Sequence, residues 1–199
     1  MVAAILRTDD RPSAGHFNAD VVETSRLRLR MFEPADLDAM SEITRDPEVM
    51  RYIGYGQPLT REETRDNLSR IVSAFRRRGF GRWALELKET GALVGYCGLS
   101  LGSEEVGVEL AYMLARGAWG GGLALEAGRA SLRYGFERLG LGSIAGLTLR
   151  DNRRSRSVLE RLGMDFVCDA HFYGFDCVHY AVAREDWRDH GSLYRVTAS

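Results

Sequence analysis

The chain has 199 residues, 45% hydrophobic and 28% charged, with a formal net charge of −1, enough for one globular domain with a full core. The near-zero charge leaves no global field to recruit nucleic acid or an anionic membrane. Residues 1–20 carry Asp9, Asp10, Arg11 and Pro12 where a signal peptide or membrane span needs an apolar run. Those first residues show no period and read as an N-terminal extension, mobile or partly docked, ahead of a domain over 21–190 and a tail over 191–199. Leu27, Leu29 and Met31 alternate with Arg26, Arg28 and Arg30, the pattern of a half-exposed strand. Pro34-Ala35-Asp36 opens a helix with Leu37, Met40 and Ile43 on its apolar side. Thr60-Arg61-Glu62-Glu63 is a capping box. The helix it starts buries Leu68, Ile71, Val72 and Phe75, and Arg76-Arg77-Arg78-Gly79 closes it.

A hairpin follows: Trp83, Leu85 and Leu87 alternate, Glu89-Thr90-Gly91 turns, and Leu93 to Leu99 runs back. Val106 to Leu114 is the next strand, and a helix from about Gly122 carries Ala127, Ala130, Ser131 and Tyr134 on one stripe. Ser143 to Leu149 is a strand, Arg153 to Leu162 a helix capped by Gly163, and two strands lie near Asp165–Asp169 and Asp176–Arg184. The chain is therefore mixed α/β. Cys97, Cys168 and Cys177 are far apart, odd in number and flanked by apolar or aromatic residues, which predicts buried free thiols in a reducing cytoplasm. His16, His171, His179 and His190 have no ligand-like spacing, so no metal is expected.

The most informative stretch is Trp119-Gly120-Gly121-Gly122-Leu123-Ala124, between a strand and a helix start. Such a turn exposes backbone N–H groups at the positive end of a helix dipole, an anion site suited to phosphate or pyrophosphate. Gly122 is followed by Leu123-Ala124 rather than Lys-Ser/Thr, which argues against a P-loop. The position past mid-chain, with no repeating βαβ array after it, argues against a dinucleotide fold. A helix start built of small residues for close packing is the bland alternative.

Flanking residues decide between these. The order Glu109-Leu110-Ala111-Tyr112-Met113-Leu114, then Trp119 to Ala127, then Asn152-Arg153-Arg154-Ser155 and Leu159 to Met164, resembles the GNAT superfamily of N-acetyltransferases. Glu23 to Arg30 with Asp36-Leu37, and Asp46 to Ile53, resemble the branch that acetylates ribosomal-protein N-termini. The likeness runs over about residues 22 to 187. It implies a single α/β (α+β) domain whose mixed central sheet, flanked by helices, splays between the strands at Val106–Leu114 and Ser143–Leu149. It also implies acetyl-CoA as co-substrate, its pantetheine arm in that gap, and a cytoplasmic enzyme, monomer or homodimer, with an amine acceptor and no direct nucleic-acid or membrane partner.

Acetyl transfer from a thioester to an amine needs a held donor, a neutral amine and stabilised charge on the carbonyl oxygen and sulfur. The resemblance places Met113, Leu114, Trp119, Gly120, Gly121, Gly122, Leu123, Ala124, Asn152 and Ser155 against the cofactor. Arg116, Arg153, Arg154 and Arg156 are candidates for its 3′-phosphate or adenosine side, and equally solvated surface charges. Glu109 stands where the family often has a carboxylate acting on the amine; an edge charge on a half-exposed strand is the equal alternative. Glu126 falls in a helix first turn, where the dipole accounts for it. The family's usual general-acid tyrosine falls at Leu159 and is absent, which leaves Ser155 as the nearest hydroxyl, with Tyr112, Tyr134, Tyr173 and Tyr180 as other donors. Asn152 also suits a helix N-cap, and His171 is a substrate-side candidate. Use of a longer acyl-CoA, or a non-catalytic acyl-CoA sensor, are the competing readings.

Overall fold

The computed structural model describes residues 20–189, 191 and 193–197. The extension expected over the first 20 residues lies almost wholly outside the described residues, as do His16 and His190. The strands are β1 (Val21–Glu23), β2 (Leu27–Arg30), β3 (Arg82–Leu87), β4 (Leu93–Leu101), β5 (Val108–Leu114), β6 (Ser143–Leu149), β7 (Asp165–Phe172), β8 (Phe175–Ala183) and β9 (Arg195–Thr197). The helices are α1 (Leu37–Thr44), α2 (Pro47–Met50), α3 (Arg61–Arg78), α4 (Leu123–Glu137) and α5 (Arg153–Arg161). They form a mixed α/β domain around one sheet of order β7-β8-β6-β5-β4-β3-β2-β1-β9.

Local chemistry explains most boundaries. Thr60 accepts the Glu63 N–H while the Glu63 carboxylate accepts the Thr60 N–H, so two otherwise unpaired donors at the start of α3 are satisfied. Gly79 ends α3 in the left-handed conformation, φ 75°. Pro34-Ala35-Asp36 makes a 3-10 turn rather than the first turn of α1. Its Asp36 is buried, clamped by Arg30 at 2.8 Å through two guanidinium nitrogens and by the Glu33 N–H. Burial pushes this carboxyl up, but the Arg30 and Glu33 bonds outweigh it and hold it below the ordinary aspartate value.

Helices cover both faces of the sheet. On one side α1, α2 and α3 bury Met40, Ile43, Val49, Met50, Leu68 and Ile71 against Ala84, Tyr96 and Met113. On the other, Ala127, Ala130 and Tyr134 of α4 pack with Trp83, Leu85, Leu99, Leu110 and Leu114. β5 serves both: Glu109, Ala111 and Met113 point one way, Leu110, Tyr112 and Leu114 the other.

The feature that positions the site is the join between β5 and β6. The other strand neighbours pair antiparallel, β4 to β5 through seven residue pairs and β6 to β8 through seven. Among the described residues, β5 and β6 run parallel and meet in one pair, Glu109 with Ala145. Beyond Glu109 the strands part, as expected from the sequence, and the edge of β5 toward Leu114 faces a gap. Two cysteines are buried as expected, Cys97 and Cys177; Cys168 is instead exposed, because it lies on β7, the strand at the sheet margin.

Candidate active site

The gap opens into a cavity of about 830 Å³, within the range of small-molecule and cofactor sites. Its apex is Glu109. One wall is β5 with Ala111, Tyr112, Met113 and Leu114, the other is Leu147 and Thr148 of β6 with the start of α5. Trp119, Gly120, Gly122, Leu123 and Ala124 form one end, and Glu48, Arg51, Tyr52 and Ile53 border it from the α2 side.

The glycine turn has the geometry of an anion cradle. Gly120 and Gly122 both have positive φ, 78° and 79°, and Gly122 caps α4 with no side chain of its own to occupy the first-turn N–H groups. Alternating left-handed residues curl successive N–H groups toward one point, and the helix dipole adds to the potential there. Gly121 is turned away from the cavity: it does not line it, and its carbonyl accepts Arg26 Nη1 at 2.8 Å. Trp119 donates its indole N–H to the Leu114 carbonyl at 2.9 Å, which fixes the ring. Across the cleft the Arg154 guanidinium stacks on that ring, 4.7 Å from its centroid.

The four arginines separate. Arg153 and Arg154 line the cavity. Arg116 pairs with Asp46 at 3.2 Å, and Arg156 donates to the Tyr180 hydroxyl at 3.2 Å. Asn152 caps α5, its Oδ1 accepting the Ser155 N–H at 3.2 Å, and it lines the cavity, where its amide NH₂ remains a donor. Glu126, expected to need no explanation beyond the dipole, is held by specific bonds instead: Oε1 accepts Thr24 Oγ1 at 2.6 Å and the Arg26 N–H at 2.8 Å, and Oε2 accepts Arg26 Nε at 2.7 Å.

Three polar groups, Glu109, Tyr112 and Ser155, line the cavity along the split. Burial pushes the Glu109 carboxyl above the ordinary range, against the opposing pull of the Ser100 hydroxyl, the Arg82 charge and the Tyr173 hydroxyl. Ser100 donates to it at 3.2 Å. Ser155 Oγ lies 2.8 Å from the Tyr112 hydroxyl, a bridge from α5 to β5 across the gap, and Tyr112 also reaches the Ser155 carbonyl at 3.1 Å. Burial raises the Tyr112 phenol well above its usual value, so it stays protonated. Of the other tyrosines, Tyr134 donates to Asp20 and Tyr180 to Glu160, both outside the cavity lining. Leu159, at the family's tyrosine position, is 1% exposed and packs at Gly146. His171 pairs with Asp176 on the exposed β7–β8 hairpin. Among the described residues no His, Cys, Asp and Glu cluster is arranged to hold a metal ion, and no helix is long and apolar enough to cross a membrane.

The cavity thus joins a sheet split beside a parallel pair, a glycine turn with two positive-φ residues and a carboxyl raised by burial. Comparison with known proteins gives the family. The family model described as "Acetyltransferase (GNAT) domain" matches residues 26–165, and the chain belongs to that family and is a transferase. It is 31% identical to the uncharacterized N-acetyltransferase p20 of Bacillus licheniformis over 72% of this chain and 81% of that protein. It is 28% identical to the FsC-acetyl coenzyme A-N(2)-transacetylase of Aspergillus fumigatus, over 83% and 77%. The crystal structure of a GNAT-family acetyltransferase from Bacillus anthracis superposes with TM-score 0.73 at 27% identity, covering 83% of this chain and 99% of that one. In fold alone, it is also similar to a ribosomal-protein-S5-alanine acetyltransferase from Vibrio fischeri, TM-score 0.68 at 16% identity over 84% and 98%.

Proposed function

We propose that this chain transfers the acetyl group of acetyl-CoA to a primary amine, on a protein N-terminus or a small molecule, by direct attack in a ternary complex. The observation that carries the reading is the single-pair junction of β5 and β6 with Glu109 at its apex and the Gly120–Gly122 turn at the far end of the same cavity. Acetyl-CoA, when bound, supplies the activated acyl group as a thioester. The fit rests on three features: N–H donors of the glycine turn for pyrophosphate, Arg153 and Arg154 at the cavity edge, and the open edge of β5 for the amides of the arm.

Glu109 takes the proton that the acceptor ammonium must lose. Its raised carboxyl suits that task, since a base nearer to neutrality is more effective at physiological pH. In this reading Ser155 hydrogen-bonds the departing sulfur, supported by its position in the cavity lining beside Tyr112. For that, the Ser155 O–H must point into the cleft, which requires Tyr112 to turn its own proton from the Ser155 carbonyl to Ser155 Oγ. Tyr112 and Ser155 then act as one donor pair, and the absence of a tyrosine at Leu159 has a local substitute. Asn152 offers its NH₂ to an arm amide.

Thiol release from acetyl-CoA, followed in the presence and absence of a panel of primary amines, tests the reading. Amine-dependent release supports it. Tight acetyl-CoA binding with no release for any amine would favour a sensor, and preferential turnover of a longer acyl-CoA would reassign the donor.

A further inference from the structure

The glycine turn does not hold its shape alone. Arg26, in the turn between β1 and β2, makes three kinds of contact with it and with α4. Its Nη1 donates to the Gly121 carbonyl at 2.8 Å. Its Nε and Nη2 both lie 2.7 Å from Glu126 Oε2. Its backbone N–H and the Thr24 hydroxyl occupy Glu126 Oε1, at 2.8 and 2.6 Å.

Two physical consequences follow. A trans peptide is planar, with its N–H antiparallel to its C=O. Anchoring the Gly121 carbonyl on Arg26, behind the turn, therefore aims the Gly122 N–H the opposite way. The lining agrees: Gly120 and Gly122 face the cavity and Gly121 does not. Second, Glu126 stands in the first turn of α4, where a bare carboxylate would repel a phosphate bound at the same helix end. Both of its oxygens are instead engaged by Thr24 and Arg26, with the guanidinium cancelling the charge.

We infer that Arg26 is a positioning residue for the phosphate cradle, aiming the Gly122 N–H and neutralising Glu126, so that the β1–β2 turn helps set affinity for the pyrophosphate portion of the donor. The inference rests on the acetyl-CoA reading of the cavity. Arg26 has no place in the chemistry at Glu109, at the other end of the cleft, so its role is in holding the donor.

The test is a calorimetric titration of wild type, Arg26→Ala and Arg26→Lys with coenzyme A, beside a displacement titration with pantetheine, which has the arm but no pyrophosphate. Arg26→Ala should bind coenzyme A on the order of tenfold more weakly, about one net hydrogen bond to a charged group, with the pantetheine constant unmoved. Arg26→Lys keeps the charge but cannot fork to both partners, and should fall between. Equal coenzyme A affinity in wild type and Arg26→Ala would overturn the inference. So would equal losses for coenzyme A and pantetheine, the mark of a general structural defect. A wild type that binds no coenzyme A at all would instead remove the acetyl-CoA reading itself, and the inference with it.

Discussion

Replacing Gly122 by valine strikes the cradle at its most constrained point. Gly122 has φ 79°, and a Cβ there would meet only Arg26 Nη2, at 3.7 Å. Space therefore tolerates a side chain, but the backbone does not: a non-glycine residue in the left-handed region costs ~1–2 kcal/mol, and a β-branched one lies at the upper end. If the strain is absorbed in place, stability falls by that amount, a drop in Tm of about 2–8 °C for a domain of this size. If it is relieved by rotating the peptide, the N–H groups leave the cavity. Losing one charge-assisted bond to phosphate removes ~1.5–3 kcal/mol, roughly a tenfold to hundredfold loss in affinity for coenzyme A. Gly91 is a matched control: φ 70°, open space around its Cβ position, in the β3–β4 turn and outside the cavity lining. Gly91→Val should lower Tm similarly and leave coenzyme A binding intact. Calorimetry with coenzyme A and thermal melts of both variants make the comparison. Equal affinity of Gly122→Val and wild type together with an unchanged Tm would refute the reasoning, because strain that is relieved must move the N–H groups and strain that is not must lower stability.

Glu109→Gln should lower turnover most at neutral pH and flatten the acid limb of the pH–rate profile. A carboxyl raised by burial loses its proton at higher pH than usual, so wild-type activity rises through that range while the glutamine variant follows the amine alone; an unchanged profile would take Glu109 out of the mechanism. Ser155→Ala and Tyr112→Phe should each reduce kcat by a factor on the order of ten or less, and the double variant should lose less than the product, because the two hydroxyls form one pair. Multiplicative losses in stopped-assay kinetics would count against the pairing. Leu159→Tyr should not raise activity and should destabilise by ~1–3 kcal/mol through overpacking at Gly146, seen in denaturant melts. Asp36, held below its ordinary value, contributes stability above the unfolded aspartate pKa of about 3.9 and loses it as pH falls through its lower folded value. Asp36→Asn should therefore lower Tm at neutral pH and weaken its fall on acidification; an identical acid profile would contradict the Arg30 clamp.

Elements with local signals were legible in the sequence. The Thr60 capping box, the Glu89-Thr90-Gly91 turn and the glycine run before α4 each fix their element through nearby backbone bonds. β1 and β9 carry no such signal, because three residues are too few to show a period: β1 is held between β2 and β9, and β9, in the segment expected as a tail, pairs with β1. For α2 the signals were present, Asp46 as cap to the Glu48 N–H and Pro47 at the first helical position, though one turn of helix has no period to detect. At the site, Glu109, Ser155 and the turn residues could be named one at a time. Tyr112 could be named only as one of four tyrosines, since its pairing with Ser155 depends on how far β5 and β6 part. Arg26 and Glu126 are a hundred residues apart in sequence, and no local pattern links them.

The most direct measurement is a crystal structure of the protein with coenzyme A. The pyrophosphate should sit on the N–H groups of the Gly120–Ala124 turn, the arm should run between β5 and β6, and the thiol should end near Ser155 and Glu109. Coenzyme A bound outside that gap, or bound in it with its phosphates away from Gly120 and Gly122, would contradict the proposed site.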